Sequence, residues 1–284
     1  MGVNTGPKTF TSFKRAIAKS AEARGVTSNF LERTIGNLIF LQMLSRVDSK
    51  NAFGYVKGGT AVTLRFGLPV SRMTKDLDLG SRLSSNLTSE LIYQLNGASW
   101  NDFNLGAPVL IKTPSPSGVR VEYLVDEYRV KLKFRDTDWI SIRLESSTNE
   151  FELDQDLSKL VLEGDLLNVF NEIELPKPEP VPLISAELQV AQKLHALTQP
   201  DSQRGHDMHD ILLYVNEPNF NFSLLKEFTA RTFTIRNTHA LSLNFQTSLD
   251  LRARYENAIR DLGNSVDFEL AVEEIAKLID TLNQ

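Results

Sequence analysis

The chain has 284 residues, 41% of them hydrophobic and 24% charged, with a formal net charge of −5. Such proportions are ordinary for a globular protein, and the length allows one large or two modest domains. The absence of cysteine excludes disulfides, thiolate metal ligands and cysteine nucleophiles, and the acidic balance excludes a whole-molecule field that draws in nucleic acid, so a polyanionic partner needs a local basic patch.

No apolar run approaches the ~18 residues that read as a membrane span. The N-terminus lacks a basic-then-apolar signal segment. The expectation is a cytoplasmic protein without membrane contact.

The spacing of Phe10, Phe13, Ile17 and Ala21 predicts a helix over Thr9–Arg24, stopped by Gly25. Asn29 followed by Glu32 reads as a capping box for a second helix reaching Val47. Its wide apolar arc, from Leu31 through Leu44, predicts burial on more than one side. A β-type run, Phe53–Val56, ends in Gly58-Gly59, and a short helical run, Thr60–Phe66, stops at Gly67 and Pro69. Asp76-Leu77-Asp78-Leu79 reads as a strand, so the two aspartates share one face. A helix over Thr88–Leu95 is followed by strands at Val109–Lys112, Val119–Val125, Tyr128–Phe134 and Trp139–Glu145, with Asp126-Glu127 as a hairpin turn. Leu153–Phe170 reads as helical.

Four prolines between Pro176 and Pro182 mark the clearest boundary, because such a run stays extended. Beyond it the pattern is helical: Ser185–Thr198, Asp207–Val215, Ser223–Phe233, Ser248–Leu262 and Asp267–Leu282. The reading is an α+β protein, with a mixed-sheet domain over 1–178 and an all-helical C-terminal domain over 179–284.

The chemistry concentrates in residues 55–80. Glycines at a strand-to-helix turn let backbone N–H groups approach a phosphate, and the helix start adds partial positive charge. The Thr60 hydroxyl is a further donor. Magnesium prefers one or two carboxylates together with substrate phosphates, which Asp76 and Asp78 supply. For two-metal phosphoryl transfer a third carboxylate is expected from a neighbouring strand. Glu145, on the polar face of Trp139–Glu145, is the first choice and Glu122 the second. The turn is not a P-loop, since Lys57 precedes the glycines instead of following them.

Lys57-Gly-Gly-Thr60, Leu64-Arg65-Phe66-Gly67 and Arg72-x-Thr74-x-Asp76-Leu-Asp78-Leu79 resemble the opening motif of the AbiEii/AbiGii-type toxin nucleotidyltransferases, within the DNA polymerase β-like nucleotidyltransferase superfamily. Glu187–Leu197, with Lys193, and Arg204-Gly-His-Asp207-Met-His-Asp210 resemble the family's second motif. There the usual run is Arg-Asp-x-x-Asp; here His206 stands directly before Asp207. The resemblance covers roughly residues 30–216. It implies a nucleotidyltransferase domain followed by a helical domain closing over a cleft, with magnesium and an NTP. It also implies the 3′ end of tRNA as acceptor, and a cognate antitoxin. On this basis Asp76, Asp78, Lys193 and Asp210 are the catalytic candidates. Gly58, Gly59, Thr60, Arg72 and Lys57 are assigned to substrate, and Asp76, Asp78 and Glu145 to metal.

Helix geometry alone places Lys193 at the edge of a Val190, Leu194, Leu197 stripe, where it can bury its stem and present its ammonium in a groove or to solvent. Asp207, Asp210 and Tyr214 fall opposite the apolar face of their helix; Asp210 orients Lys193 or the nucleotide, or belongs to a solvated acid face. A metal-dependent phosphohydrolase built on His206-Asp207 and His209-Asp210 lacks the further ligands it needs, since His195 and His239 carry no metal motif. A basic patch for RNA would draw on Lys57, Arg65, Arg72, Lys75 and Arg82, joined by Arg231, Arg236, Arg252, Arg254 and Arg260. The rival readings are a non-catalytic nucleotide-binding module, or transfer to a small molecule or a protein hydroxyl.

Overall fold

The computed structural model describes residues 7, 9–48, 54–112, 125–148, 157–241, 247–262 and 265–284. Phe53, Glu122 and most of the expected strand Val119–Val125 lie outside them. The chain divides into two compact units: residues 1–69 with 73–183, and residues 70–72 with 184–284.

The first unit opens with α1 (Phe10–Ala23) and α2 (Ser28–Val47). Thr9 caps α1 in a capping box with Ser12. The α2 cap is Thr27, whose side chain accepts from Phe30 N–H, instead of Asn29. Glu32 is drawn away from any capping box by an ion pair with Lys14 and a hydrogen bond from Trp139. The strands are β1 (Tyr55–Lys57), β2 (Asp76–Ser81), β3 (Ser99–Trp100), β4 (Phe103–Leu105), β5 (Val109–Lys112), β6 (Val125–Phe134), β7 (Thr137–Thr148), β8 (Leu157–Leu160) and β9 (Val181–Ile184). Helices α3 (Gly58–Phe66), α4 (Ser85–Gln94) and α5 (Gly164–Glu172) lie between them in sequence.

Among the described residues the sheet runs β3-β4-β6-β7-β2-β1-β9-β8, with β5 pairing onto β6. It is mixed: β2 runs parallel to β7 and β1 parallel to β9, while β1–β2 and β6–β7 are antiparallel. The pleat sorts β2 and β7 cleanly. Leu77, Leu79, Ile142 and Leu144 point into the core, and the acids between them point the other way.

Three expectations change. The Asp126-Glu127 hairpin is absent, because β6 runs straight through both residues. Asp126 accepts from Ser85 Oγ at 3.0 Å and Glu127 pairs with Arg143, so both acids are satisfied within the strand. The turn instead falls between β6 and β7, where Arg135 adopts a left-handed φ of 52°. Of the helix expected over Leu153–Phe170, residues 153–156 lie outside the described ones; from Leu157 on it is replaced by β8 followed by α5, which starts at Gly164 with φ +58°. The last residues of the proline run form β9, where Leu183 pairs with Val56.

The second unit is built from α6 (Ala186–Leu197), α7 (Gly205–Val215), α8 (Phe222–Arg236), α9 (Leu249–Ile259) and α10 (Phe268–Asn283). Ser185, Asn221, Ser248 and Asp267 cap four of them through their side chains. Helix α7 packs against α6, α9 and α10, so it is covered on several sides. Among the described residues no helix is long and apolar enough to cross a membrane.

Candidate active site

Sheet register assembles the acidic part of the site. Lys57 on β1 pairs with Asp78 on β2. In the parallel β2–β7 ladder Asp76 stands beside Arg143 and Asp78 beside Glu145. Glu127 on β6 faces Glu145. One sheet face therefore carries Asp76, Asp78, Glu145, Glu127 and Arg143.

Arg143 is the cation at the centre of these acids. Its guanidinium forms a fork with Glu127, at 2.7 and 2.8 Å, and stands 3.4 Å from both Asp76 Oδ1 and Glu145 Oε1. The Glu127 bond raises the Arg143 pKa against the effect of burial, with Asp76 adding to it. Burial, then the charges of Asp78 and Asp76, push the Glu145 carboxyl up to about 7. Asp76 Oδ1 is buried and accepts no hydrogen bond. A carboxylate oxygen in that condition, in a face of surplus negative charge, fits a cation. Among the described residues no group of three or more acidic or histidine side chains is already arranged to hold one.

The glycine turn lies against the same carboxylates. Gly58 has φ +65°, and a Cβ there would meet Asp78 Oδ2 at 1.9 Å. Only glycine allows both the left-handed backbone and this approach. Thr60 is buried, and its hydroxyl is used inside the fold: it donates to the Asp76 carbonyl at 3.2 Å and accepts from Asn37 Nδ2 at 3.3 Å. Thr74 Oγ1 donates to the same carbonyl at 3.4 Å. Lys57 Nζ donates to Ser147 Oγ at 2.6 Å.

The remaining candidates form a buried charge network in the second unit. Arg72 holds Asp210 through two bonds, Nε–Oδ1 at 3.1 Å and Nη2–Oδ2 at 2.9 Å. Lys193 Nζ bridges Asp207 Oδ1 at 2.5 Å and Asp210 Oδ2 at 2.7 Å. Asp210 is 0% exposed and Lys193 is 7% exposed. The alternative of a solvated acid face therefore does not hold for Asp207 and Asp210. Burial opposes each of these charges, but the opposite charges win. Asp207 and Asp210 are held below the usual carboxylate range, and Lys193 stays above its ordinary value. His209 Nε2 meets the Val70 carbonyl at 2.9 Å, which ties residues 70–72 to α7. Burial drives His206 down to about 4, with Arg72 and Lys193 reinforcing the shift against Asp207.

Much of the expected basic patch is already engaged. Arg231 pairs with Glu227, Arg252 with Glu256 and Glu269, and Arg236 contacts His195. Reasoning from sequence missed Arg143, Glu127 and Asn37. Arg143 was legible only as one polar position on the strand that carries Glu145. Asn37 shows in the sequence as an amide inside an apolar helix.

The chain matches the family described as nucleotidyl transferase AbiEii toxin, type IV TA system, over residues 39–277. Among solved structures it is similar to MenT4, a nucleotidyltransferase toxin from Mycobacterium tuberculosis H37Rv, at 16% identity and a TM-score of 0.60 over 95% of this chain and 89% of that one. A putative nucleotidyltransferase from H. pylori aligns at 19% identity and a TM-score of 0.44, over 87% of this chain and 95% of that one. No curated protein sequence matches.

Proposed function

Because the chain belongs to the AbiEii family of nucleotidyltransferase toxins, we propose that it moves a nucleoside monophosphate from an NTP to the 3′ end of tRNA with the help of magnesium, and that a cognate antitoxin restrains it. The observation that carries this reading is the placing of Asp76 and Asp78 on one sheet face, against the Gly58 turn and in register with Glu145. In it Asp76 and Asp78 hold the metal and Glu145 completes the set. A bound divalent ion neutralises phosphate charge and makes an acceptor hydroxyl easier to deprotonate. The acceptor hydroxyl attacks the α-phosphorus and pyrophosphate leaves.

The chain's own groups divide the work. Backbone N–H groups at Gly58 and Gly59 bind phosphate oxygens at the start of α3. Arg143 holds Glu127 and keeps the acids from repelling one another. In the second unit Asp210 orients Arg72, the cation assigned to substrate, and Lys193, the catalytic candidate.

The test is incubation with magnesium, each α-labelled NTP and total tRNA. Label should reach the tRNA 3′ end with at least one NTP, and Asp76→Ala should abolish it. No transfer with any NTP, under conditions where a control enzyme works, would overturn the reading. Transfer by Asp76→Ala at the unaltered rate would show that the metal site lies elsewhere.

A further inference from the structure

Asn37 lies in α2, 7% exposed and flanked in the helix by the buried Ile35, Leu38 and Ile39. It makes one side-chain bond of consequence, to the Thr60 hydroxyl at 3.3 Å. That hydroxyl donates in turn to the main-chain carbonyl of Asp76 at 3.2 Å. Three elements thus meet at one oxygen: α2 through Asn37, the first turn of α3 through Thr60, and the start of β2 through Asp76. As a stabilising device the arrangement is weak, since a neutral hydrogen bond adds little net stability and a buried amide must be desolvated. As a positioning device it is well placed. Thr60 follows the Gly58-Gly59 turn directly, and Asp76 is the first residue of the strand that carries both aspartates.

We infer that Asn37 is a positioning residue, which acts through Thr60 to fix Asp76, and so its carboxylate, relative to the glycine turn. Thr60 is accordingly a positioning residue and contacts no phosphate through its hydroxyl. The bond Asn37 donates leaves the Thr60 proton directed at the Asp76 carbonyl, because the hydroxyl has a single proton and accepts from Asn37. With Asn37 removed, the hydroxyl is free to rotate, and the side-chain bond to the Asp76 carbonyl that does not depend on Asn37 is the longer one from Thr74, at 3.4 Å. The inference rests on the reading of Asp76 as a metal ligand, so its test separates the two.

Mn2+ is titrated alone into the whole protein and free ion is followed by electron paramagnetic resonance, with thermal melting recorded for every variant. The unaltered protein should bind Mn2+ and Asp76→Asn should not. Thr60→Val and Asn37→Leu, which keep the volume of the core, should each weaken Mn2+ binding by about tenfold, the usual cost of losing a group that orients a ligand. Thr60→Ser, which keeps the hydroxyl, should bind like the unaltered protein. The double variant should be no weaker than Thr60→Val, because Asn37 acts only through that hydroxyl. A purely structural role would lower melting temperatures and leave Mn2+ affinity unchanged well below the melt. That result, with Asp76→Asn still failing to bind, would overturn the inference and leave the metal site standing. Mn2+ binding that does not depend on Asp76 would overturn both. If Thr60→Val does not fold, Asn37→Leu and Thr60→Ser decide the matter.

Discussion

Asp78 and Gly58 are in contact at a distance that admits no side chain: a Cβ on Gly58 would sit 1.9 Å from Asp78 Oδ2. Gly58→Ala must therefore displace the carboxylate or the turn, and it also strains a backbone at φ +65°. Displacement of a reacting group by about an ångström typically costs on the order of 100-fold in rate, so label transfer should fall by about that much. Gly97→Ala is the control, because it has φ +76° with nothing within 4 Å of its Cβ. It should lose about 1 kcal/mol of stability, the cost of a left-handed alanine, and keep full activity. Equal activity losses in the two variants would reject the contact as the cause.

Asp210 compensates two cations at once, the buried Lys193 and the half-buried Arg72. Asp210→Asn takes the paired carboxylate from Arg72 and leaves Lys193 facing Asp207, a broken buried ion pair of the kind that costs about 3–5 kcal/mol. Denaturant unfolding of the variant should show that loss. A loss below about 1 kcal/mol, the scale of an exposed pair, would show that the network is solvated in solution.

His195 is 1% exposed, lies 4.9 Å from the Phe233 ring and contacts Arg236, Thr238 and His239. Burial, then Arg236 and His239, lower its pKa to about 3. A depressed imidazole pKa contributes stability that is complete above its unfolded value near 6.5 and is lost as pH falls toward the folded value. Between pH 7 and pH 5 the protein should lose on the order of 1–2 kcal/mol from this group, at about 1.4 kcal/mol per pH unit once the unfolded imidazole is charged. His195→Gln should flatten that part of the stability profile in denaturant titrations. An unchanged slope would show that the folded protein takes up a proton at His195 as readily as the unfolded chain does.

Asp76, Glu127 and Glu145 all lie against Arg143, and the charges of Asp78 and Asp76 both bear on the half-buried Glu145. Glu145→Gln should therefore raise the melting temperature without divalent ions, by an amount equivalent to about 0.5–2 kcal/mol, while lowering transfer; sites arranged for function often trade stability this way. A variant both less stable and fully active would contradict the assignment.

The parts of the fold and site that were legible in the sequence are those fixed by short-range geometry. Alternation placed Asp76 and Asp78 on one face, and the Asp267 cap and apolar stripe of α10 appear where the pattern put them. Glu145 was reachable as a polar-face position, but its register beside Asp78 comes from pairing two strands far apart in sequence. The burial of Asp207 and Asp210 was hidden for a related reason. A helical wheel places them opposite an apolar stripe, which reads as solvent-facing, yet α6, α9 and α10 all pack against α7 and even Tyr214 is 0% exposed. Strand β9 was masked by Pro182, whose missing N–H argues against a ladder, although Val181–Ile184 pairs beside β1 all the same.

Residues 70–72 count with the second unit although they lie more than a hundred positions ahead of the rest of it. The proline run therefore looks like a place to cut the chain and is not one. A fragment starting at residue 184 would keep Lys193, Asp207 and Asp210 but lack Arg72, leaving two buried carboxylates against a single ammonium. Supplying the first half as a separate chain should restore the missing cation, so two pieces that fail alone should recover together as a split protein.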